Sequence, residues 1–168
     1  NATKITDPLG NMTQFGYDAA GNLISITDPE GNVTQLAYDA LGNVTVRTDA
    51  LGGKTKFQYD NLNRLASLTD PLGSITRFAY DARGNRTSIT DANGNLTQYV
   101  YNSQNQVTRI TDALGNVTTL TYGGVACPGC GGGVDKLTAV TDAKGQVTAY
   151  GYDPAGRLIK ETDPLGNV

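Results

Sequence analysis

Histidine and tryptophan are absent from the 168 residues, and there are only one methionine and two cysteines. Without histidine, the commonest general base and metal ligand is missing, so the usual nucleophile–base pairs and metal triads cannot be assembled. Charged side chains make up 17% of the chain, below the quarter usual for globular domains. The 13 Lys and Arg residues are scattered singly and the net charge is −3, so the clustered basic surface that nucleic acid calls for is missing. No apolar run approaches the roughly 20 residues of a membrane-spanning helix, and no signal peptide opens the chain. These gaps lead to the expectation of a non-enzymatic protein with no cofactor, no nucleic-acid partner and no membrane span.

What is plentiful is glycine, at 21 residues, and repetition. Thr-Asp recurs at Thr6, Thr27, Thr48, Thr69, Thr90 and Thr111, each 21 residues after the last, then at Thr141, thirty on, and at Thr162, 21 further. A fixed period of this length marks a repeat architecture, here about seven and a half units filling 1–168 as a single array. The stretch 27–47, TDPEGNVTQLAYDALGNVTVR, serves as the type unit. Because the array starts and stops inside a repeat, it is expected to be a slice of a longer protein, with any export signal outside it.

Each unit carries the same turn twice. The first series is Asp-x-x-Gly, ending at Gly10, Gly31, Gly52, Gly73, Gly94, Gly115, Gly145 and Gly166, with Pro8, Pro29, Pro71 and Pro164 in its second place. Asp bonding the backbone ahead, Pro with φ preset and Gly where the chain turns left-handed are the requirements of a type I turn. The second series follows tyrosine and ends at Gly21, Gly42, Gly84 and Gly156, with Asn63 and Asn105 standing in for glycine. Asparagine is the non-glycine residue that best tolerates a left-handed conformation.

Between turns lie short segments rich in Thr, Val, Ile, Leu, Tyr and Phe, which read as strands of about six to eight residues. In the first strand of each unit, Phe15, Leu36, Phe57, Phe78, Tyr99, Leu120 and Tyr150 share one position. Tyr17, Tyr38, Tyr59, Tyr80, Tyr101, Tyr122 and Tyr152 follow two residues later. Spacing of two places them on one strand face, continued by Thr13, Thr34, Thr55, Thr76, Thr97, Thr118 and Thr148, and that face is expected to be packed as an aromatic wall. The alternative use of such a face is a stacking platform for sugars or single strands. The second strand is less regular. Its apolar series, Leu23, Val44, Leu65, Val107, Leu137, Leu158 and Ile26, Leu68, Ile89, Ile110, Val140, are three residues apart, so strict alternation would split them between faces. Arg86 interrupts the first series, and Arg47 and Glu161 the second. A bulge and a sheet covered on both sides are both open at this point.

Strands about 4.8 Å apart advance the sheet by roughly 9.6 Å per hairpin, so about fifteen strands make a sheet some 70 Å wide. Open twisted sheets rarely exceed about ten strands without curling or splitting. The fold class expected is therefore all-β: tandem 21-residue hairpins in one antiparallel, curved or spiralling sheet, a hollow shell or tube. An isolated hairpin buries too little to stand alone, so neighbours must stabilise it, and cut ends would leave edges for pairing.

Units such as YDALGNVTVRTD (38–49) and YDARGNRTSITD (80–91) resemble the YD repeat of bacterial Rhs proteins, of the C component of insecticidal toxin complexes, and of teneurins. The resemblance covers the chain apart from an insert at 123–134. It implies a hollow β-shell that winds as a spiral and, in the toxin members, encloses a toxic C-terminal segment; in teneurins a similar shell is a scaffold for adhesion. The self-cleaving aspartate core that follows the repeats in Rhs toxins is not recognisable, so no catalytic residue carries over.

The insert replaces one second-series turn and contains Cys127-Pro-Gly-Cys130. A local disulfide is expected, favoured by an oxidising, extracellular location; free thiols, a metal site shared with another repeat or subunit, and a redox pair are the alternatives. The Asp-rich turns raise calcium, but each supplies one reliable carboxylate whose best use is its own backbone. Asn1, Asn11, Asn32, Asn43, Asn85, Asn95 and Asn116 open Asn-x-Thr sequons, which arise automatically where a Gly-Asn turn end meets a strand. The function expected is a structural segment of a large exported or surface protein, extracellular and bacterial, building a shell, tube or fibre. A toxin-encapsulating shell and an adhesive or carbohydrate-binding surface are the alternatives. The partners expected are further repeats or identical subunits joined edge to edge, and an enclosed toxin segment.

Overall fold

The computed structural model describes residues 1–123 and 136–168; the expected disulfide and the body of the insert lie outside the described residues. Fifteen strands follow in chain order: β1 (Lys4–Thr6), β2 (Met12–Tyr17), β3 (Leu23–Thr27), β4 (Val33–Tyr38), β5 (Val44–Thr48), β6 (Lys54–Tyr59), β7 (Leu65–Thr69), β8 (Ile75–Tyr80), β9 (Arg86–Thr90), β10 (Leu96–Tyr101), β11 (Val107–Thr111), β12 (Val117–Gly123), β13 (Lys136–Thr141), β14 (Val147–Tyr152) and β15 (Leu158–Thr162). They form a single 15-stranded sheet whose strand order equals the sequence order, with no crossover among the described strands. No helix occurs among the described residues. The second strands of the hairpins are mostly five residues long, shorter than the six to eight expected, because each begins directly after a turn and ends at the next Thr-Asp.

The chain divides into two compact units, Asn1–Arg77 and Phe78–Val168. In the first, the hairpin β2–β3 pairs Gln14 with Thr27, Phe15 with Ile26 and Gly16 with Ser25, and then Tyr17 with Leu23. Ile24 is left over. That is a β-bulge, two residues on one strand facing one on the other. It recurs in β4–β5, where Tyr38 pairs with Val44 and Thr45 is the extra residue, and in β6–β7, where Tyr59 pairs with Leu65. The second unit repeats it at Tyr101 and Val107, Tyr122 and Leu137, and Tyr152 and Leu158.

The bulge decides between the two readings of the second strand. Residues directly opposite in a ladder share a face, so Leu23 lies with Tyr17 and Ile26 with Phe15, both on the aromatic side despite their odd spacing. The inserted residue resets the alternation. Where it is threonine its hydroxyl also occupies a carbonyl on the neighbouring strand: Thr45 Oγ1 donates to Ala37 O, Thr108 Oγ1 to Val100 O and Thr138 Oγ1 to Thr121 O, at 3.1–3.3 Å.

Burial alternates as the first-strand pattern requires. In β6, Thr55, Phe57 and Tyr59 are half-buried while Lys54, Lys56 and Gln58 are exposed, and β4 and β10 repeat the pattern. The expectation of a packed aromatic face needs correction. No hydrophobic residue among those described is buried, and only Ser67 is, at 8% exposure. A single-layer sheet lets neighbouring rings and aliphatic side chains cover one another laterally but places nothing over them. That openness accommodates the charged interruptions: Arg47 stands opposite Leu36, and the Arg86 guanidinium lies 5.9 Å from the Phe78 ring centre and 5.8 Å from that of Tyr99, within cation–π range.

Candidate functional site: turn clasps and the tyrosine row

Every described turn is built around one acceptor. In the first, Gly10 N–H donates to Asp7 O and Asp7 N–H to Asn11 O, the bonds of a type I turn followed by a left-handed bulge residue. The Asp7 carboxylate then fills the turn from inside: Oδ1 accepts Leu9 N–H and Asn11 N–H, and Oδ2 accepts the Asn11 side-chain amide at 2.8 Å. Gly10, Gly31, Gly52, Gly73, Gly94, Gly115, Gly145 and Gly166 all have φ between 79° and 88°. Asn63 and Asn105 adopt 65° and 62° in the equivalent places, so second-series turns tolerate a side chain there.

The asparagine after the glycine is the second half of a clasp, a role that the sequon pattern does not reveal. Asn22, Asn32, Asn43, Asn85, Asn95, Asn116 and Asn167 each donate Nδ2 to the aspartate four residues earlier. The signal available was the Gly-Asn dipeptide itself, recurring at a fixed place in the turn. Variants keep the chemistry. Arg64 and Arg157 replace asparagine and put Nε on Asp60 and Asp153 at 2.8 and 2.7 Å. At Asn102 and Gln106 the polarity is reversed, with Asn102 Nδ2 donating to Gln106 Oε1. In the sequons at Asn11, Asn32, Asn43, Asn85, Asn95 and Asn116, the nitrogen that would carry a glycan is the one held by the clasp.

These hydrogen bonds favour the ionised carboxylate. The side-chain amide of the following asparagine is the largest cause of a lowered pKa at Asp7, Asp18, Asp28, Asp39, Asp81, Asp91, Asp112 and Asp163. Arg64 does the same at Asp60, and at Asp153 the Arg157 backbone N–H leads. A depressed folded-state pKa contributes stability above the unfolded carboxylate value, about 3.9, and that stability is lost as pH falls through the folded value. The urea midpoint is therefore expected to be flat from neutral pH to about pH 5 and to fall below about pH 4. A midpoint that rises on acidification would contradict the clasp.

The tyrosines join one hairpin to the one before it. Between β3 and β4 the ladder runs from Thr27 and Val33 only as far as Ser25 and Gln35, which leaves the Leu23 carbonyl beyond its end. Tyr38 Oη donates to that carbonyl at 2.7 Å. Tyr17, Tyr59, Tyr101 and Tyr152 reach Ala2 O, Val44 O, Arg86 O and Leu137 O in the same way, each fifteen residues back. Each ring thus faces its bulge partner in its own hairpin while its hydroxyl holds the previous one. Among the described residues, shallow grooves lie beside turns, such as that lined by Asp39, Ala40, Leu41, Tyr38 and Asp18, and on the sheet face, where Gln14, Phe15, Gly16 and Ser25 line another. Among the described residues no group of three or more His, Cys, Asp or Glu is placed to hold a metal ion.

The repeat, its hairpin and its two turns can be compared with known proteins on this footing. The RHS repeat profile matches residues 1–33, 17–55, 38–75, 59–96, 101–124 and 133–168. The chain belongs to the RHS repeat family. No curated protein sequence matches this RHS repeat chain. Among solved structures, it is similar to the Tc holotoxin pore of Photorhabdus luminescens carrying a TccC3 point mutation, at 17% identity and a TM-score of 0.62. It is also similar to TcdB2-TccC3 without its hypervariable C-terminal region, at 18% identity and a TM-score of 0.63. Both alignments cover 90% of this chain and 9% of the other. At these identities the likeness is one of fold: a run of RHS hairpins corresponds to a small part of a much larger RHS-containing assembly.

Proposed function

We propose that the chain is a non-enzymatic wall segment of an Rhs-type shell in a large exported or surface bacterial protein. The observation that carries this reading is the single uncrossed sheet with a half-buried aromatic face and no buried hydrophobic residue among those described. Such a sheet has extent and two faces but no enclosed site; its polar chemistry is spent on its own turns. β1 and β15 each have one neighbour, and further strands of the same repeat would continue the ladder at either edge.

The likeness to TccC3-containing structures favours a more specific second reading, in which the wall encloses a toxin segment encoded elsewhere in the same protein. The half-buried aromatic face would then look onto the enclosed space. Electron microscopy of the longer natural protein, with protease treatment of the intact particle, separates the readings. Closed hollow particles that shield a C-terminal segment from protease support the toxin shell. Long tubes support a fibre, and solid particles with no lumen would overturn the wall reading.

A further inference from the structure

The chain has one Asn-Gly dipeptide, Asn93-Gly94, and it lies in the first-series turn that joins β9 to β10. Glycine has no side chain to shield its backbone nitrogen, so an asparagine before it is the one most open to attack by that nitrogen on its own Cγ. All other asparagines of the chain precede a residue that carries a side chain. Those that follow a turn glycine are also held, with Nδ2 on an aspartate carboxylate, as at Asn32 and Asn95. Asn102 precedes the small Ser103 and is held at both side-chain atoms: Oδ1 accepts the Gln104 and Gln106 N–H groups, and Nδ2 donates to Gln106 Oε1. Asn93 is exposed, and its side chain makes no hydrogen bond to a described residue. It alone joins a glycine neighbour to an unheld side chain.

What restrains Asn93 is its backbone. Its N–H donates to Asp91 Oδ1 at 2.9 Å, and Gly94 N–H donates to Asp91 O at 3.1 Å. The third residue of a type I turn sits at ψ of about 0°. Closing a ring between Asn93 Cγ and Gly94 N requires that bond to rotate by a third of a turn, which breaks the Asp91–Gly94 hydrogen bond. We propose that Asn93 is a spontaneous modification site whose reaction is gated by opening of the Asp91 clasp. In the opened turn Gly94 N gives up its proton to water or hydroxide and bonds to Asn93 Cγ. The Cγ–Nδ2 bond breaks, the departing nitrogen takes a proton from water and leaves as ammonia, and a cyclic imide remains. Water then opens the imide at either carbonyl. Cleavage of the new bond to Cγ gives aspartate; cleavage at the main-chain carbonyl gives isoaspartate, whose main chain runs through Cγ and is one methylene longer. The two products differ in consequence. Aspartate fits, since Glu30 already places a carboxylate at the same turn position. Isoaspartate lengthens the span closed by Asp91 O and Gly94 N–H, directly beside the Thr90–Leu96 pair that begins the β9–β10 ladder. The chemistry depends on this turn alone and stands apart from the wall reading.

The test incubates the 168-residue protein at mildly alkaline pH, folded and in guanidinium chloride, and follows each asparagine by peptide mass spectrometry with fragmentation that separates aspartate from isoaspartate. Asn93 should be the first asparagine of the folded chain to convert, about ten- to several-hundredfold more slowly than in denaturant, because only the locally opened fraction reacts. Asp91→Ala removes the clasp and should raise the folded rate about tenfold while leaving the rate in denaturant unchanged. Asp28→Ala removes a clasp in the other unit and should leave both rates unchanged. Circular dichroism checks that the variants fold; Asn95→Ala, which removes only the side-chain half of the clasp, serves as a milder second variant with a smaller acceleration. Isoaspartate-containing protein, separated by chromatography, should lose hydrogen-exchange protection in β9 and β10, and aspartate-containing protein should keep it. Equal rates in the folded and denatured chain, earlier conversion at Asn102 or at a clasped asparagine, or no product at Asn93 from the folded chain would each overturn the proposal. So would folded rates indifferent to Asp91→Ala and Asn95→Ala, or an isoaspartate form as protected as the parent.

Discussion

Gly42→Val is expected to lower stability by about 1–2 kcal/mol, the usual cost of holding an L-residue in a left-handed conformation, and Gly42→Asn by clearly less. Gly42 has φ 85°, and a Cβ built there meets nothing within 4 Å. The cost is therefore one of backbone conformation alone, with no steric component from neighbours. Asparagine is tolerated because Asn63 and Asn105 already hold that place in other second-series turns. Urea denaturation of the three proteins side by side tests the order. Hydrogen exchange adds location, since damage in an array of repeats spreads mainly to adjacent units: protection should fall first in β4 and β5. Equal midpoints for valine and asparagine would refute the left-handed role of the position.

Tyr59 carries the second large effect. Its ring stands opposite Leu65 across the bulge, and its hydroxyl donates to Val44 O at 3.0 Å. Tyr59→Phe removes the hydroxyl alone and should cost about 1 kcal/mol, the net value of a typical hydrogen bond. Tyr59→Ala also removes a half-buried ring and should cost about 2 kcal/mol, well under the 3–5 kcal/mol typical of a fully buried aromatic. The two losses differ in place as well as size. The phenylalanine variant should loosen β5 from β6 while leaving β6 and β7 protected, and alanine should loosen both pairs. Native-state hydrogen exchange reads this directly. If the phenylalanine variant weakens β6–β7 as much as β5–β6, the hydroxyl link is not what joins successive hairpins.

The turns were legible in the sequence because their chemistry is local: Asp, then a residue suited to φ near −65°, then a glycine or asparagine that accepts positive φ. The strands and their order were legible for a related reason, since a period of 21 with two turns leaves room for little besides a meander. The second strand was not. Leu23 and Ile26 are three apart, and alternation alone assigns them to opposite faces; only the ladder shows that Ile24 is an extra residue. The repeated offset of three, together with threonine at positions 45, 108 and 138, was the trace of the bulge. The packed wall was an overstatement for a physical reason. Alternation reveals that a face is apolar and says nothing about whether a second layer covers it.

The tyrosine links carry a consequence for how such a wall comes into being. A hydroxyl that reaches fifteen residues back, and ladder pairs that reach no further than Thr119 to Thr141 across the insert, mean that a hairpin finds its partners almost as soon as it is made. Folding rates fall as contacting residues lie further apart along the chain, and by that measure this sheet belongs with fast-folding helical proteins more than with sandwiches whose first and last strands must meet. The sheet can set strand by strand behind a moving chain end, without waiting for the remainder to arrive.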